Sequence, residues 1–353
     1  MSKKINIGGL SVGGGNKPFI IAELSGNHQQ SYELAIKMIE VAAEAGADAI
    51  KLQTYTADSM TLDIARDEFL IQESDSLWKG KSLHELYQEA ATPYEWHESL
   101  FAHAKALGLI AFSSPFDESA VDFLEGLNVP CYKIASFENT DLPLIRKIAK
   151  TGKPVIISTG MASLSEIEDM VNTVRQAGCE QLILLKCTSA YPAPPEDANL
   201  ATMADMALRF RCEVGLSDHS VGIEIALAAT ALGAAVIEKH FVLNRDDGGV
   251  DAAFSIEPHE LKKLVVESKR VAGAVGNINY GCTDSDQKAK KYRRSLYISQ
   301  SLESGDIVSE DNLRIVRPGL GLPPKYYDQV IGRKVKHSII KGTPVRWDLF
   351  SSE

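Results

Sequence analysis

The stretch CEVGLSDHSVGIEIALAATALGAAVIEKHF, residues 212–241, decides how this chain is read. It opens on a strand-like run, "CEVGLS", which ends in the polar turn "DHS". An apolar helical pattern then runs to Gly233, and a second β-branched run, "VIEKHF", closes the stretch. Strand, polar turn, helix and strand in about thirty residues make a βαβ unit, whose strands lie parallel in one sheet. One Ser or Asp would suffice to cap the helix. Two hydroxyls, a carboxylate and an imidazole at one strand end point to a second role.

The same pattern repeats from Phe19 to about Gly276. The strand-like runs are "FIIAE", "AIKLQ", "LIAFSS", "CYKIAS", "VIISTG", "LILLKCT", "CEVGLS" and "VIEKHF". Helical segments between them carry their own punctuation. Ser31 caps the first and Gly46 ends it, Pro93 opens another, and Ser163 or Ser165 caps a third. Eight βα units predict a (β/α)8 TIM barrel. A doubly wound sheet fits less well, because no G-x-G-x-x-G follows the first strand. Gly13 to Gly15 precede that strand and read as a flexible lead-in. The second unit carries an insertion from about Tyr55 to Thr92, expected to shape the pocket at the catalytic face.

After "NYGCTDSDQKAKKYRR" the apolar periodicity stops. The expected organisation is a barrel over 1–281, a linker over 282–294 and a small β-rich domain over 295–353. That last segment has short strand patterns, Gly/Pro turns and little core of its own.

Composition narrows the function. The net charge of −10 argues against a nucleic-acid partner, which wants a basic face. The five cysteines are odd in number and lack C-x-x-C spacing, so free thiols in a reducing cytoplasm are expected rather than disulfides or a zinc site. The N-terminus has no apolar core for a signal peptide, and no run approaches the ~20 apolar residues of a membrane span, so no membrane partner is expected.

Residues at the C-terminal ends of barrel strands face the mouth. Here they are Glu23, Lys51, Gln53, Ser113, Ser114, Lys133, Ser136, Ser158, Thr159, Lys186, Thr188, Ser189, Ser217, Asp218, His219, Glu238, Lys239 and His240. Lys51 and Lys133 alternate with apolar neighbours and should point inward, where a lysine wants an anion or becomes a Schiff-base nucleophile. With Ser114, Ser136, Ser158 and Ser217 they form a candidate phosphate and carboxylate cradle. Lys186 and Lys239 are equally consistent with structural roles. His219 and His240 close adjacent strands and can address one divalent ion, with Glu23, Asp218 and Asp251 as nearby carboxylates. His84, His97, His103, His259 and His337 lie in polar contexts and are expected at the surface.

At these residues the chain resembles the sialic acid synthase family. The resemblance is carried in order by "FIIAELSGNH", "GADAIKLQTY", "FSSPFD", "YKIAS", "STGMA", "KCTSAYP", "GLSDHS", "EKHF" and "RPGLGLPP". It implies a barrel followed by an antifreeze-like (SAF) domain, and a metal-dependent condensation of phosphoenolpyruvate with an N-acylated amino-sugar aldehyde. The segments "TPYEWHE", "CTSAYPAPPEDANL" and "DGGVDAAFSIEP" resemble the branch whose acceptor is a diacetamido-trideoxy hexose of altro configuration. Ser189 stands where the neuraminate branch has Asn. The resemblance makes Lys51, Ser114, Lys133, Ser158, Ser189 and Ser217 the phosphoenolpyruvate contacts. It makes His219 and His240 ligands of Mn²⁺, Co²⁺ or Mg²⁺, and Glu23, Gln53, Tyr191 and Asp251 contacts to the sugar or the attacking water. Arg317 resembles an arginine that reaches the acceptor from the partner subunit of a domain-swapped homodimer. Members acting on the legionaminate or neuraminate precursor remain alternatives. So do a Schiff-base aldolase using Lys133 or Lys186 and a carbohydrate-binding protein.

Overall fold

The computed structural model describes residues 4–72 and 78–351, so residues 73–77 of the expected insertion lie outside the described part. The chain divides into two compact units, residues 1–276 and 277–353. The first begins with an antiparallel hairpin, β1 (Ile5–Ile7) and β2 (Leu10–Val12). Eight parallel strands follow: β3 (Phe19–Glu23), β4 (Ala49–Thr54), β5 (Ile110–Pro115), β6 (Tyr132–Ile134), β7 (Val155–Ser158), β8 (Leu182–Cys187), β9 (Glu213–Asp218) and β10 (Val236–His240). They close a barrel in chain order, with β10 pairing β3. Both faces of these strands are covered, which is why they read as nearly continuous apolar runs.

Local chemistry sets the helix ends as expected. The Ser31 hydroxyl accepts from the Leu34 amide and Gly46 adopts φ 85°, bounding helix Tyr32–Ala45. Ser163 and Glu166 form a reciprocal capping box at helix Leu164–Gln176. In β9, Gly215 is needed for close packing: a Cβ there would lie 2.3 Å from the Val236 carbonyl oxygen. All five cysteines are free, four of them buried.

Two expectations are corrected. Gly13 to Gly15 are not merely a flexible lead-in, for they follow a hairpin that the sequence reading did not anticipate. The β1–β2 hairpin buries Ile5, Ile7 and Val12 in the core of the first unit, each stabilising by about 1.5–3 kcal/mol. The Gly14 amide after it donates to Glu213 Oε1 at 2.9 Å. Strands of three residues are too short for alternation to be legible. Second, His97 is fully buried rather than at the surface. Its Nε2 bonds Thr54 Oγ1 at 2.8 Å and its Nδ1 the Pro93 carbonyl at 3.1 Å. His28 is buried too, with Nε2 3.0 Å from Thr92 Oγ1.

Burial pushes both imidazoles down to about 4. The folded state therefore holds them neutral, whereas the unfolded chain takes up their protons near pH 6.5. Stability is intact above about pH 6.5 and falls as pH drops towards 4, by up to about 3 kcal/mol for each histidine. Urea midpoints between pH 7 and pH 5 check this. A His28→Gln, His97→Gln variant should show a flatter pH slope, and an unchanged slope would refute the assignment.

The second unit pairs β11 (Ser295–Ile298) with β12 (Leu313–Val316). Its own core includes Leu296, Ile298, Val308, Leu313, Val330, Val345 and Phe350. The segment read as a linker belongs to this unit and carries a helical turn, Asp284–Gln287, capped by Thr283.

Candidate active site

Strand register assembles the site. Cys187 is level with Ser217, Ser217 with Glu238, His240 with Glu23, Glu23 with Lys51, and Gln53 with Ser114. Side chains level in a parallel ladder share a face, and residues two apart on one strand share it also. Lys51 with Gln53, Ser217 with His219, and Glu238 with His240 therefore point to one interior. Lys186 and Lys239 have the opposite parity.

The floor is a buried charge network. Lys51 pairs with Glu23, lies 3.7 Å from Glu238 Oε1 and donates to Ser114 Oγ at 3.2 Å. Lys133 lies 3.5 Å from the same Glu238 oxygen and donates to the Ile134 carbonyl at 3.1 Å. Ser217 donates to Glu238 Oε1 at 3.2 Å. Burial would raise Glu238, but the two lysines outweigh it and hold its carboxyl below the ordinary range. Burial likewise opposes the charge on Lys51, yet Glu23 and Glu238 outweigh it and raise the ammonium. Lys133 differs: burial dominates and lowers it, Glu238 compensating only in part. An arriving anion would complete that compensation.

Hydroxyls ring the same floor. Ser158 Oγ and Ser189 Oγ are buried without a hydrogen-bond partner, and so is Glu238 Oε2. Ser136 Oγ donates to Cys187 Sγ at 3.3 Å. Gly160 lets these groups converge, since a Cβ there would lie 2.5 Å from Ser136 Oγ and 2.6 Å from Ser189 Oγ. Buried polar atoms left unpaired are costly, so their concentration beside two lysines marks a place for ligand oxygens.

The histidines stand beside the floor. The rings of His219 and His240 have centroids 5.3 Å apart, and Phe254 and Tyr191 flank them. His219 Nδ1 donates to the Thr188 carbonyl at 2.9 Å, which leaves Nε2 as the lone-pair nitrogen. His240 Nδ1 lies 3.5 Å from Asp251 Oδ2. Two imidazoles with an adjacent carboxylate are a donor set suited to a divalent transition metal or Mg²⁺. Asp251 is held by the Ser25 hydroxyl and through its amide, which donates to Asn27 Oδ1 at 3.1 Å. A second cluster, Glu257, His259 and Glu260, has ligand atoms within 4.8 Å of one another. Arg245 pairs with both of its carboxylates, so its charge is already compensated.

These groups open into a cavity of about 450 Å³, lined entirely from the first unit. Lys51, Gln53, Lys133, Ser136, Ser158, Ser189, Tyr191, Ser217, His219, His240 and Asp251 all line it. Ser114 lies beneath, as the acceptor for Lys51. Several expectations change. Glu23 lies under the cavity, bound by Lys51, Gln53 Nε2 and the Ser25 amide. Lys186 faces away and donates to the Cys187 carbonyl at 2.7 Å. Lys239 pairs with Asp218 at 2.8 Å, and Asp218 also binds Ser220, so these three are structural. Arg317 is exposed on the second unit.

Two further carboxylates line the cavity: Glu238, placed at the mouth by its strand end but given no role from the sequence, and Glu138, which was not expected there. Glu238 shares the parity of His240, a signal present in "IEKHF". Glu138 follows β6, outside any strand pattern, and burial pushes it up to about 7 against the pull of Lys133.

The model of the NeuB family matches residues 38–280, and that of the SAF domain residues 293–351. The chain is 45% identical to the pseudaminic acid synthase of Campylobacter jejuni subsp. jejuni serotype O:23/36 (strain 81-176), over 94% of this chain and 96% of that one. It is 43% identical to the pseudaminic acid synthase of Helicobacter pylori (strain ATCC 700392 / 26695), over 94% and 97% respectively. The N-acetylneuraminic acid synthetase of Leptospira borgpetersenii serovar Hardjo-bovis, solved in complex with citrate, superposes with a TM-score of 0.74 at 34% identity. The match covers 83% of this chain and 97% of that one.

Proposed function

The chain belongs to the NeuB family, and from that premise we propose that it is a pseudaminic acid synthase. It joins phosphoenolpyruvate to the open-chain aldehyde of 2,4-diacetamido-2,4,6-trideoxy-β-L-altropyranose and releases phosphate. The observation that carries this reading is the floor. Two buried lysines, one of them undercompensated, face unpartnered hydroxyls beside a histidine pair.

Lys51 and Lys133 hold the phosphate and carboxylate of phosphoenolpyruvate, with Ser158, Ser189 and Ser217 donating to their oxygens. His219 and His240 would hold a divalent ion, Mn²⁺, Co²⁺ or Mg²⁺, which supplies Lewis-acid polarisation of the aldehyde oxygen. C3 of phosphoenolpyruvate forms the new bond to the aldehyde carbon, whose oxygen takes a proton. C2 becomes cationic, and the Glu238 carboxylate between the lysines faces that charge. Water adds at C2 and phosphate leaves with C–O cleavage. Glu138, pushed up to about 7 by burial, would serve in this reading as the group that exchanges a proton at neutral pH.

The resemblance extends the proposal to a homodimer in which exposed Arg317 of one copy serves the barrel of the other, working in the cytoplasm. Among the described residues no helix is long and apolar enough to cross a membrane. The test is phosphate release with three acceptors: the diacetamido-altrose sugar, the diacetamido-mannose sugar and N-acetylmannosamine. The first should be preferred, and preference for either of the others would overturn the assignment.

A further inference from the structure

The cavity has two chemically different ends. Its floor, at the strand ends, is charged and hydroxylated. Away from the strand ends, the lining comes from the insertion after β4 and is mainly apolar. Met60 stands at the end of helix Ala57–Met60, Leu83 and Leu86 on helix Leu83–Ala90, and Ile71 in the segment between them. Phe116, after β5, continues this surface, and its ring meets Tyr55 edge-on with centroids 5.1 Å apart. Among the described residues, the polar groups on this wall are the Tyr55 and Tyr87 hydroxyls and the Trp78 indole N–H. The indole donates to the Val250 carbonyl at 3.0 Å.

Such a wall is unsuited to an ordinary hexose, which offers a hydroxyl on nearly every carbon. A hydroxyl placed against aliphatic side chains loses its water and gains no partner. A methyl group placed there removes apolar surface from water. In the open-chain acceptor the aldehyde carbon C1 must reach the floor, where phosphoenolpyruvate and the histidines lie. C6 is five carbon–carbon bonds away, at the far end of the molecule. The reaction thus directs C6 away from the charged floor and towards the insertion.

We propose that Met60, Ile71, Leu83 and Leu86 form a specificity wall that receives the C6 methyl of the acceptor and selects a 6-deoxy sugar over its 6-hydroxy counterpart. This rests on the synthase reading of the same site and adds the residues that choose the substrate. The insertion is the part of the barrel free to vary without disturbing strand register, and so the natural place for selection. Ile71 and Leu86 are buried, while Met60 and Leu83 are half-buried, so the latter two accept a change of polarity with less loss of core.

The experiment measures kcat/KM for the 6-deoxy acceptor and for the same diacetamido sugar bearing a C6 hydroxyl, with phosphoenolpyruvate saturating. The native enzyme should prefer the 6-deoxy sugar by roughly 10- to 100-fold, the range in which an apolar pocket rejects an added hydroxyl. Met60→Thr and Leu83→Ser, made separately on two different helices, should each reduce that ratio several-fold. Met60→Leu and Leu83→Ile should preserve it, which separates wall chemistry from a general loosening of the loop. An active native enzyme without preference, or polar variants that keep the native ratio, would overturn this inference and leave the synthase reading standing. If the native protein condenses neither acceptor with phosphoenolpyruvate, both fall together.

Discussion

Replacing His219 and His240 together by alanine is expected to lower phosphate release by about three orders of magnitude, the scale of losing several kcal/mol of charge stabilisation. The residual turnover should no longer respond to EDTA or to added Mn²⁺. The expectation follows from the arrangement of the two rings. They close adjacent strands, lie 5.3 Å apart and share an aromatic surround. The Thr188 carbonyl holds the Nδ1 proton of His219, which leaves Nε2 as the atom that would bind a divalent ion. The ion pairs of Lys51 and Lys133 with Glu238 do not run through either ring, so the double variant should keep its phosphoenolpyruvate cradle and lose Mn²⁺ binding measured by calorimetry. Native-like turnover that still depends on added metal would show that the ion, if used, is held elsewhere.

The barrel was legible because its strands are rich in β-branched and aliphatic residues and several helices carry their own cap, as Ser31 and Ser163 illustrate. The site was legible where polar residues alternate along a strand, as with Lys51 and Gln53 or Ser217 and His219. It was less legible where both faces of a strand are covered. In "LILLKCT" no apolar periodicity tells inward from outward, so Lys186 resembled a ligand although it faces the helix side. Asp218 and Lys239 resembled site residues for the same reason, and instead neutralise each other outside the barrel. His97 misled in the opposite sense. Glu95, Glu98 and Ser99 beside it are polar, but its ring is satisfied by the Pro93 carbonyl one turn earlier and by Thr54 from a distant strand, which no local pattern reports. The apolar wall is invisible for another reason. Met60, Ile71, Leu83 and Leu86 are too irregularly spaced to show a shared face until the insertion folds.

Lys51→Met is expected to abolish activity and to destabilise the barrel by about 3–5 kcal/mol, the scale of stranding a buried charge. Lys51 is the cation that Glu23 contacts, and it shares Glu238 with Lys133. Without it, the donors left to the Glu23 carboxylate among the described residues are the Gln53 amide and the Ser25 backbone amide. Burial already holds the Glu23 carboxyl above its ordinary range with Lys51 present, and its removal lifts that carboxyl further. A carboxyl raised in the folded state contributes stability at low pH and loses it as pH rises through the folded value. The gap in urea midpoint between Lys51→Met and the native protein should therefore be wide at pH 7 and narrow towards pH 5. Adding Glu23→Gln removes the stranded charge and keeps its shape, so the double variant should recover most of the lost stability at pH 7. Activity should not return, because an amide at position 23 leaves the phosphoenolpyruvate anion with Lys133 alone. A Lys51→Met protein within about 1 kcal/mol of native stability, or a double variant no more stable than the single one, would mean the pair is not the coupled unit that its geometry describes.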